Sequence, residues 1–150
     1  MSIIKKIGTH LKVSNIEKSI AFYNTLGFQP ILEFGPGLER TNTTAPHKYR
    51  GIIFATDDGT ALFEIADGHI AVKPEVFQEH ISSSKVSLMV FVDSLEEIIG
   101  RAKKASIPLA KEPVNYPWRT TELVIRDPDG FIVVFIAPTT EEYKKVYPTV

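Results

Sequence analysis

The chain contains no cysteine. Disulfide bonds, thiolate metal sites and cysteine nucleophiles are therefore excluded. The sequence also lacks an apolar run of membrane-spanning length, and no charged and then apolar segment of the secretory type opens it. A chain without these features is typical of a cytoplasmic protein, and the cytoplasm is the location that we expect.

An excess of charge of either sign is also missing. The formal net charge is −1 at pH 7, so the sequence gives no reason to expect nucleic acid or an anionic membrane as a partner. It has no catalytic-triad pattern, glycine-rich phosphate loop or zinc-finger spacing. What it does contain, 43% hydrophobic and 10% aromatic residues in 150 positions, is ordinary for one globular domain.

The most informative feature that is present is a repeat. Residues 11–20 and residues 90–99 each have an apolar alternating run, a short polar residue, an acid three positions later and then apolar residues at helical spacing. Each copy predicts a strand followed by a helix, with Ser14 and Asp93 as the helix N-caps.

Two hairpin patterns complete the repeat. Asp58–Gly59 and Asp129–Gly130 each lie between two apolar runs, which is typical of a tight turn between antiparallel strands. The order strand–helix–strand–strand–strand therefore occurs twice. The predicted fold class is α+β, with two βαβββ modules in tandem whose curved mixed sheets form a cup, with the helices outside.

The expected boundaries follow from these patterns. We expect one domain over residues 1–150, with module one over about residues 4–66, a connector over 67–85, module two over about 86–138 and a tail helix over 139–147. Pro30 indicates an edge or a bulge in the second strand, and Pro113 is predicted to end a strand over residues 107–111. A helical turn is predicted after Pro74, and Thr139 or Thr140 is predicted to cap the tail helix.

The whole chain resembles the vicinal oxygen chelate superfamily, the group that holds glyoxalase I, extradiol dioxygenases, fosfomycin-resistance enzymes and bleomycin-resistance proteins. The resemblance rests on the paired strand–helix starts, on Ser-Ile-Ala-Phe-Tyr at residues 19–23 followed by Leu-Gly-Phe at residues 26–28, and on the Asp-Pro-Asp-Gly hairpin at residues 127–130. It implies the two-module fold. It does not fix a function, because this fold hosts many chemistries.

The resemblance also implies where metal ligands would stand. The metalloenzymes of the family take four ligands, and the matching positions here are Gly8, Glu64, Ser87 and Val134, of which only Glu64 is of a ligating type. No metal cofactor is therefore expected. The alternative is one divalent metal ion on a displaced site built by His10 and Glu64, which would make the protein a lyase, isomerase or dioxygenase.

The other histidines do not decide between these alternatives. His47, His69 and His80 lie in the loop and the connector, and their spacing does not point to a third ligand. A further alternative needs no metal, since His10 and Glu64 could act as an acid–base pair on a bound substrate.

A second pattern is similar to the metal-free bleomycin-resistance branch. Pro117–Trp118 is followed by Glu122 and then by Arg-Asp-Pro at residues 126–128. The resemblance implies a homodimer that holds its ligand in clefts between subunits and acts by sequestration. Arg119 stands where that branch often has glycine, so the loop need not have the same shape.

Strand alternation predicts the lining of the cup. The expected lining is largely apolar, as in small-molecule pockets, and consists of Gly8, His10, Leu62, Glu64, Ser87, Met89, Phe91, Ile132 and Val134, with Trp118 near the rim. The predicted ligand-binding residues are His10, Leu62, Glu64, Ser87, Met89, Phe91, Trp118, Glu122 and Val134. We expect a metal-independent protein that binds a cationic or aromatic small molecule, such as an antibiotic or xenobiotic. In the alternative, the sheet faces form a dimer core and no ligand exists.

Overall fold

The computed structural model describes residues 3–4, 6–36 and 49–150. The chain forms two compact units, unit 1 (Met1–His80) and unit 2 (Ile81–Val150), and each is described by itself. Most of the loop predicted over residues 35–49, and with it His47, lies outside the described residues. No helix in the described part of the chain is long and apolar enough to cross a membrane.

Unit 1 is a four-stranded mixed sheet with one helix. Its elements are β1 (Ile7–Lys12), α1 (Ile16–Thr25), β2 (Pro30–Phe34), β3 (Gly51–Ala55) and β4 (Ala61–Ala66), followed by a 3-10 helix over Pro74–Gln78. The strand order is β1-β4-β3-β2, with β1 parallel to β4 and the other neighbours antiparallel. The helical turn predicted after Pro74 is thereby confirmed.

Unit 2 repeats this plan. Its elements are β5 (Leu88–Phe91), α2 (Leu95–Lys104), β6 (Leu109–Asn115), β7 (Thr120–Arg126), β8 (Ile132–Pro138) and a tail helix α3 (Glu141–Val146). The strand order is β5-β8-β7-β6, with β5 parallel to β8. The predicted α+β class, with two βαβββ modules in tandem and mixed sheets, is confirmed.

One face of each sheet is buried against its helix. In unit 1, the α1 residue Tyr23 is fully buried, and its ring lies 4.7 Å from that of Phe63 on β4. In unit 2, α2 buries Leu95 and Ile98 and contacts β8, whose Phe135 is also fully buried. Because side chains alternate along a strand, the neighbouring positions of β1, β4, β5 and β8 point to the opposite face. Most of the candidate site residues lie on those faces, namely Gly8, His10, Leu62, Glu64, Met89, Phe91 and Val134.

The N-cap of α1 is one residue later than the sequence predicts. Asn15, not Ser14, is the N-cap, and its side-chain oxygen accepts the backbone N–H of Lys18 at 2.9 Å. Both residue types cap well, so the pattern alone does not choose between adjacent candidates.

The N-cap of α2 is shifted in the same direction. Ser94, not Asp93, is the N-cap, but its side chain makes no capping bond to the backbone. The Leu95 N–H instead donates to the hydroxyl of Tyr143 at 2.9 Å, from the distant tail helix α3. This partner is 48 positions away in the chain, which is beyond any local capping pattern.

The prediction for β6 is wrong at its end. The strand runs through Pro113 to Asn115, with register shifts against β7 before and after Lys111. A proline is tolerated there because β6 is an edge strand. The corresponding expectation for Pro30 is confirmed, since β2 is an edge strand whose register shifts between Pro30 and Leu32.

Both predicted hairpins are present, and so is the tail-helix cap. Gly59 and Gly130 adopt φ values of +66° and +88°, which glycine accepts without strain. The Asp127 carboxylate accepts the N–H of Asp129 at 3.0 Å and that of Phe131 at 2.8 Å. Thr140 is the N-cap of α3, one of the two predicted threonines.

Candidate functional site

His10 and Glu64 lie side by side in unit 1. They are register partners on the parallel strands β1 and β4, so both side chains are on the face opposite α1. The Nε2 atom of His10 is 3.9 Å from Oε1 of Glu64. Gly8 pairs with Leu62 on the same face, where a Cβ atom at position 8 would meet the Leu62 Cβ and carbonyl oxygen at 3.2 Å.

The environment of His10 favours its neutral form. Its Nε2 atom is buried and has no hydrogen-bond partner. This burial lowers the pKa of His10; the Glu64 carboxylate opposes the shift, and the charges of Lys12 and His69 add to it. A neutral imidazole next to a carboxylate can accept or donate one proton, so the pair is chemically suited to hydrogen-bonding a polar ligand group.

His69 is a neighbour that the spacing of the sequence did not indicate. Its ring lies 5.6 Å from that of His10 in an edge-on arrangement. Its Nδ1 atom accepts the backbone N–H of Ala71 at 3.1 Å, so the neutral ring carries its proton on Nε2. His69 therefore offers an N–H group and not a free lone pair towards its surroundings.

Among the residues that the structure describes, no set of side chains fits a bound metal ion. A catalytic site usually needs three protein ligands and an open position. Within residues 6–36 and 49–150, no three His, Asp or Glu side chains are grouped so that they could hold a metal. His10 and Glu64 supply two donors, and the Nε2 atom of His69 is protonated in the tautomer that its hydrogen bond selects.

Unit 2 presents an exposed tryptophan on a tight turn. Trp118 is 63% exposed and stacks on Tyr116, with 4.6 Å between ring centroids and 17° between ring planes. The turn is closed by the Tyr116 N–H, which donates to the Thr120 carbonyl, and by the Arg119 N–H, which donates to the Tyr116 carbonyl. The indole is therefore held on one face by the Tyr116 ring, while its other face is accessible.

Glu122 orients this indole. Its Oε1 atom accepts the Trp118 Nε1–H at 3.0 Å and the Thr120 hydroxyl at 2.6 Å. On the other side of the stack, the Lys111 ammonium donates to the Tyr116 hydroxyl at 3.0 Å. Tyr116, Thr120 and Lys111 were not singled out from the sequence, although the i, i+2 spacings of Tyr116 to Trp118 and of Thr120 to Glu122 could have indicated the first two.

Arg119 has the backbone conformation of a glycine. Its φ is +68°, in the left-handed region that L-residues with a Cβ atom rarely adopt. The Arg119 carbonyl accepts the N–H of Thr139, so hydrogen bonds fix the residue on both sides. Arg119 stands where the bleomycin-resistance branch often has glycine, so the sequence allowed this loop to have a different shape. In the structure, the arginine itself adopts the left-handed conformation that is typical of glycine.

The remaining predicted residues of unit 2 lie along β5 and β8. Met89 and Phe91 are 59% and 72% exposed, on the face opposite α2. Val134 is the register partner of Met89 on the same face. Ser87 is exposed and lies just before β5. The structure thus groups His10, Leu62 and Glu64 in unit 1, and Met89 with Val134 and Trp118 with Glu122 in unit 2.

A cleft of about 350 Å³ lies in unit 2 next to this face. Among the predicted ligand-binding residues only Phe91 borders it. The lining consists of Phe91, Val92, Asp93, Arg119, Thr120, Ile136, Ala137 and Pro138. Its walls are largely apolar, and two residues of opposite charge, Asp93 and Arg119, are part of the lining.

Comparisons with known proteins agree with this architecture. The model of the Glyoxalase/Bleomycin resistance protein/Dioxygenase superfamily matches residues 6–135. TnmS3, described as an antibiotic binding protein from Streptomyces sp. CB03234, superposes with a TM-score of 0.64 at 21% identity, over 93% of this chain and 99% of that chain.

Two further solved structures are similar. UcmS2 superposes with a TM-score of 0.65 at 19% identity, over 91% of this chain and 98% of that chain. A glyoxalase/dioxygenase from Nostoc punctiforme does so with a TM-score of 0.61 at 19% identity, over 89% and 90% of the two chains. A comparison with curated protein sequences gives no match.

Proposed function

The chain belongs to the glyoxalase/bleomycin resistance protein/dioxygenase superfamily, and on that premise we propose that it binds a small organic molecule without a metal ion and sequesters it. The observation that carries the proposal is the exposed, pre-oriented indole of Trp118. An aromatic side chain that is 63% exposed and yet held by a stack and a hydrogen bond is suited to stacking on a ligand.

The carboxylate at the edge of the indole favours a cationic aromatic ligand. Glu122 places a carboxylate at the edge of Trp118, and a cation over an indole face is attracted by the ring quadrupole. Taken by itself, the sheet face of unit 1 carries the Glu64 carboxylate beside the apolar Leu62, a combination that also suits a cationic ligand. Support also comes from TnmS3, a protein of similar fold that is described as antibiotic binding.

The direct test is calorimetric titration with proflavine, a planar aromatic cation. We expect saturable binding that Trp118→Ala weakens by about tenfold, because stacking and cation–π contacts of this kind contribute about 1–1.5 kcal/mol. Ile70→Ala is the matched control, since Ile70 is 83% exposed and lies in unit 1. Equal affinity of the wild type and Trp118→Ala would contradict the proposed role of the indole.

The proposal that no metal ion is bound is tested separately, by measuring the metal content of the protein. The protein is incubated with nickel, zinc, iron(II), manganese and cobalt, desalted, and analysed for bound metal by mass spectrometry. We expect no stoichiometric metal, because within the described residues no third ligand is grouped with His10 and Glu64. Near-stoichiometric metal that disappears in Glu64→Gln would instead support the metal-dependent lyase, isomerase or dioxygenase alternative.

We also propose that the working form is a cytoplasmic homodimer. The support is the similarity of the Pro117–Trp118 pattern to the bleomycin-resistance branch, together with the absence of cysteine. Exposed Met89, which does not line the cleft of unit 2, provides apolar surface of the kind that subunit contacts use. Light scattering after size-exclusion chromatography should give twice the chain mass, and a single-chain mass would refute the dimer.

A further inference from the structure

We propose that the cleft in unit 2 is a binding site for a small zwitterion, a molecule that carries both a carboxylate and an ammonium group on an apolar frame. The cleft has a volume of about 350 Å³, within the range of small-molecule sites. This site is distinct from the stacking surface of Trp118, which does not line the cleft. Its ligand need not be the one that the indole binds.

The lining of the cleft carries one charge of each sign. Arg119 and Asp93 both border the cleft, and among the described residues neither side chain has an ion-pair or hydrogen-bond partner. A guanidinium offers several N–H donors to a carboxylate, and a carboxylate accepts from an ammonium. The two side chains together therefore favour a ligand that carries both charges over one that carries a single charge.

The rest of the cleft wall is mainly apolar. Phe91 is 72% exposed, and Ile136 and Pro138 line the same cleft. These side chains would cover the hydrocarbon or aromatic body of a ligand whose charged groups meet Arg119 and Asp93. Apolar walls with a few polar groups are the usual composition of specific small-molecule sites.

Arg119 also has a strained backbone conformation. At φ +68°, a glycine would be free of strain, whereas an arginine is disfavoured. Its side chain is thus presented to the cleft from a backbone that does not favour it. Strained residues of this kind are often found at binding sites, and the charge of the cleft gives this one a use.

The test compares three probes that share one body. Phenylalanine carries both charges, 3-phenylpropionate carries only the carboxylate, and phenethylamine carries only the ammonium. Calorimetric titration of the full-length protein should give the tightest binding for phenylalanine. We expect the removal of either charge from the probe to weaken binding by about tenfold, the loss of one charge-assisted hydrogen bond.

Variants of the protein show which side chain binds each charged group of the probe. Arg119→Gln should weaken phenylalanine and 3-phenylpropionate but not phenethylamine, and Asp93→Asn should show the opposite pattern. Arg101→Gln is the matched control, because Arg101 is paired with Glu97 on α2 and does not line the cleft. Equal binding of the three probes, no binding of phenylalanine, or equal affinities in all variants would each overturn the proposal. Proflavine binding through Trp118 is unaffected by any of these outcomes.

Discussion

At the scale of single residues, His10 shows how a neighbour sets the chemistry of a group. Burial disfavours the charged imidazole, whereas the Glu64 carboxylate at 3.9 Å favours it. The net result is a pKa below the ordinary value for histidine, so His10 binds a proton more weakly in the folded chain than in the unfolded one. Its contribution therefore destabilises the fold as the pH falls below the ordinary histidine range.

The first prediction concerns this balance. Glu64→Gln removes the only one of these influences that raises the pKa of His10, so the His10 pKa should fall further. Long-range ¹H–¹⁵N NMR spectra of the imidazoles, recorded against pH, would measure it, and with only four histidines in the chain the assignment is tractable. An unchanged His10 pKa in Glu64→Gln would show that the carboxylate does not act on this ring.

The second prediction concerns Arg119. Arg119→Gly removes the left-handed strain at φ +68° and should raise the free energy of unfolding by up to about 1 kcal/mol, measured by urea denaturation. Gly130→Ala is the control of opposite sign, because Gly130 has φ +88° and an alanine there is strained. A clear loss of stability in Arg119→Gly would mean that the arginine side chain stabilises the fold itself.

At the scale of elements, local patterns were predictable and distant partners were not. The turns at Gly59 and Gly130 depend on a dipeptide and its two apolar flanks, and both hairpins were found. The N-caps were one residue off, because two adjacent polar residues can each cap a helix. The continuation of β6 through Pro113 depends on its place at the sheet edge, which is a tertiary property.

The residues of the candidate site also fall into those that a local pattern predicted and those that it did not. Strand alternation correctly placed His10 and Glu64 on one face, because the register of β1 and β4 preserves that alternation. It did not indicate His69, which follows β4 in the connector and reaches His10 only in the folded unit. Likewise, the cleft that contains Asp93 and Arg119 joins the end of β5 to the start of β7, and no sequence spacing reports that proximity.

The third prediction concerns the element that the sequence explained least, the docking of α3. Asn115 is 2% exposed, and its side-chain amide donates to the carbonyls of Tyr143 at 3.0 Å and Tyr147 at 2.8 Å. Its side-chain oxygen accepts the hydroxyl of Thr121 at 2.7 Å. Asn115→Ala leaves these buried groups without partners and should lower the free energy of unfolding by about 3 kcal/mol.

The same denaturation experiment supplies the control. Asn24 is exposed on α1, so Asn24→Ala should change the free energy of unfolding by less than about 0.5 kcal/mol. If Asn115→Ala were equally mild, α3 would not be held to the sheet by this amide. Loss of α3 should also expose the Leu95 N–H, whose partner is the Tyr143 hydroxyl.

At the scale of the whole molecule, the groups with shifted pKa values determine how the stability of the fold depends on pH. Hydrogen bonds from Thr56 and Thr60 lower the pKa of Asp58 to about 2, and those from Ser94 and Tyr143 lower the pKa of Glu96. A carboxyl group with a lowered pKa stabilises the fold above its unfolded pKa, and this contribution is lost as the pH falls through the folded value.

Two tyrosines affect the stability of the fold at alkaline pH. Burial raises the pKa of Tyr143, and its hydrogen bond to Glu96 adds to the shift. Burial also raises the pKa of Tyr147. The neutral phenols are thus favoured in the fold, and their contribution is complete below the unfolded pKa and is lost as the pH rises through the folded one.

The fourth prediction is therefore a plateau of thermal stability around neutral pH that falls on both sides, measured by circular dichroism melting curves. On the acid side, His10 and the two carboxyl groups act in the same direction, so the decline should begin below the ordinary histidine range and steepen in the carboxyl range. Asp58→Asn should flatten the acid limb, because an amide at this position has no proton to gain. Tyr143→Phe should lower the plateau itself and flatten the alkaline limb, because it removes the bonds to Leu95 and Glu96 together with the titrating phenol. A melting temperature that is constant from pH 7 to pH 3 would contradict the assignment of these lowered pKa values to the folded state.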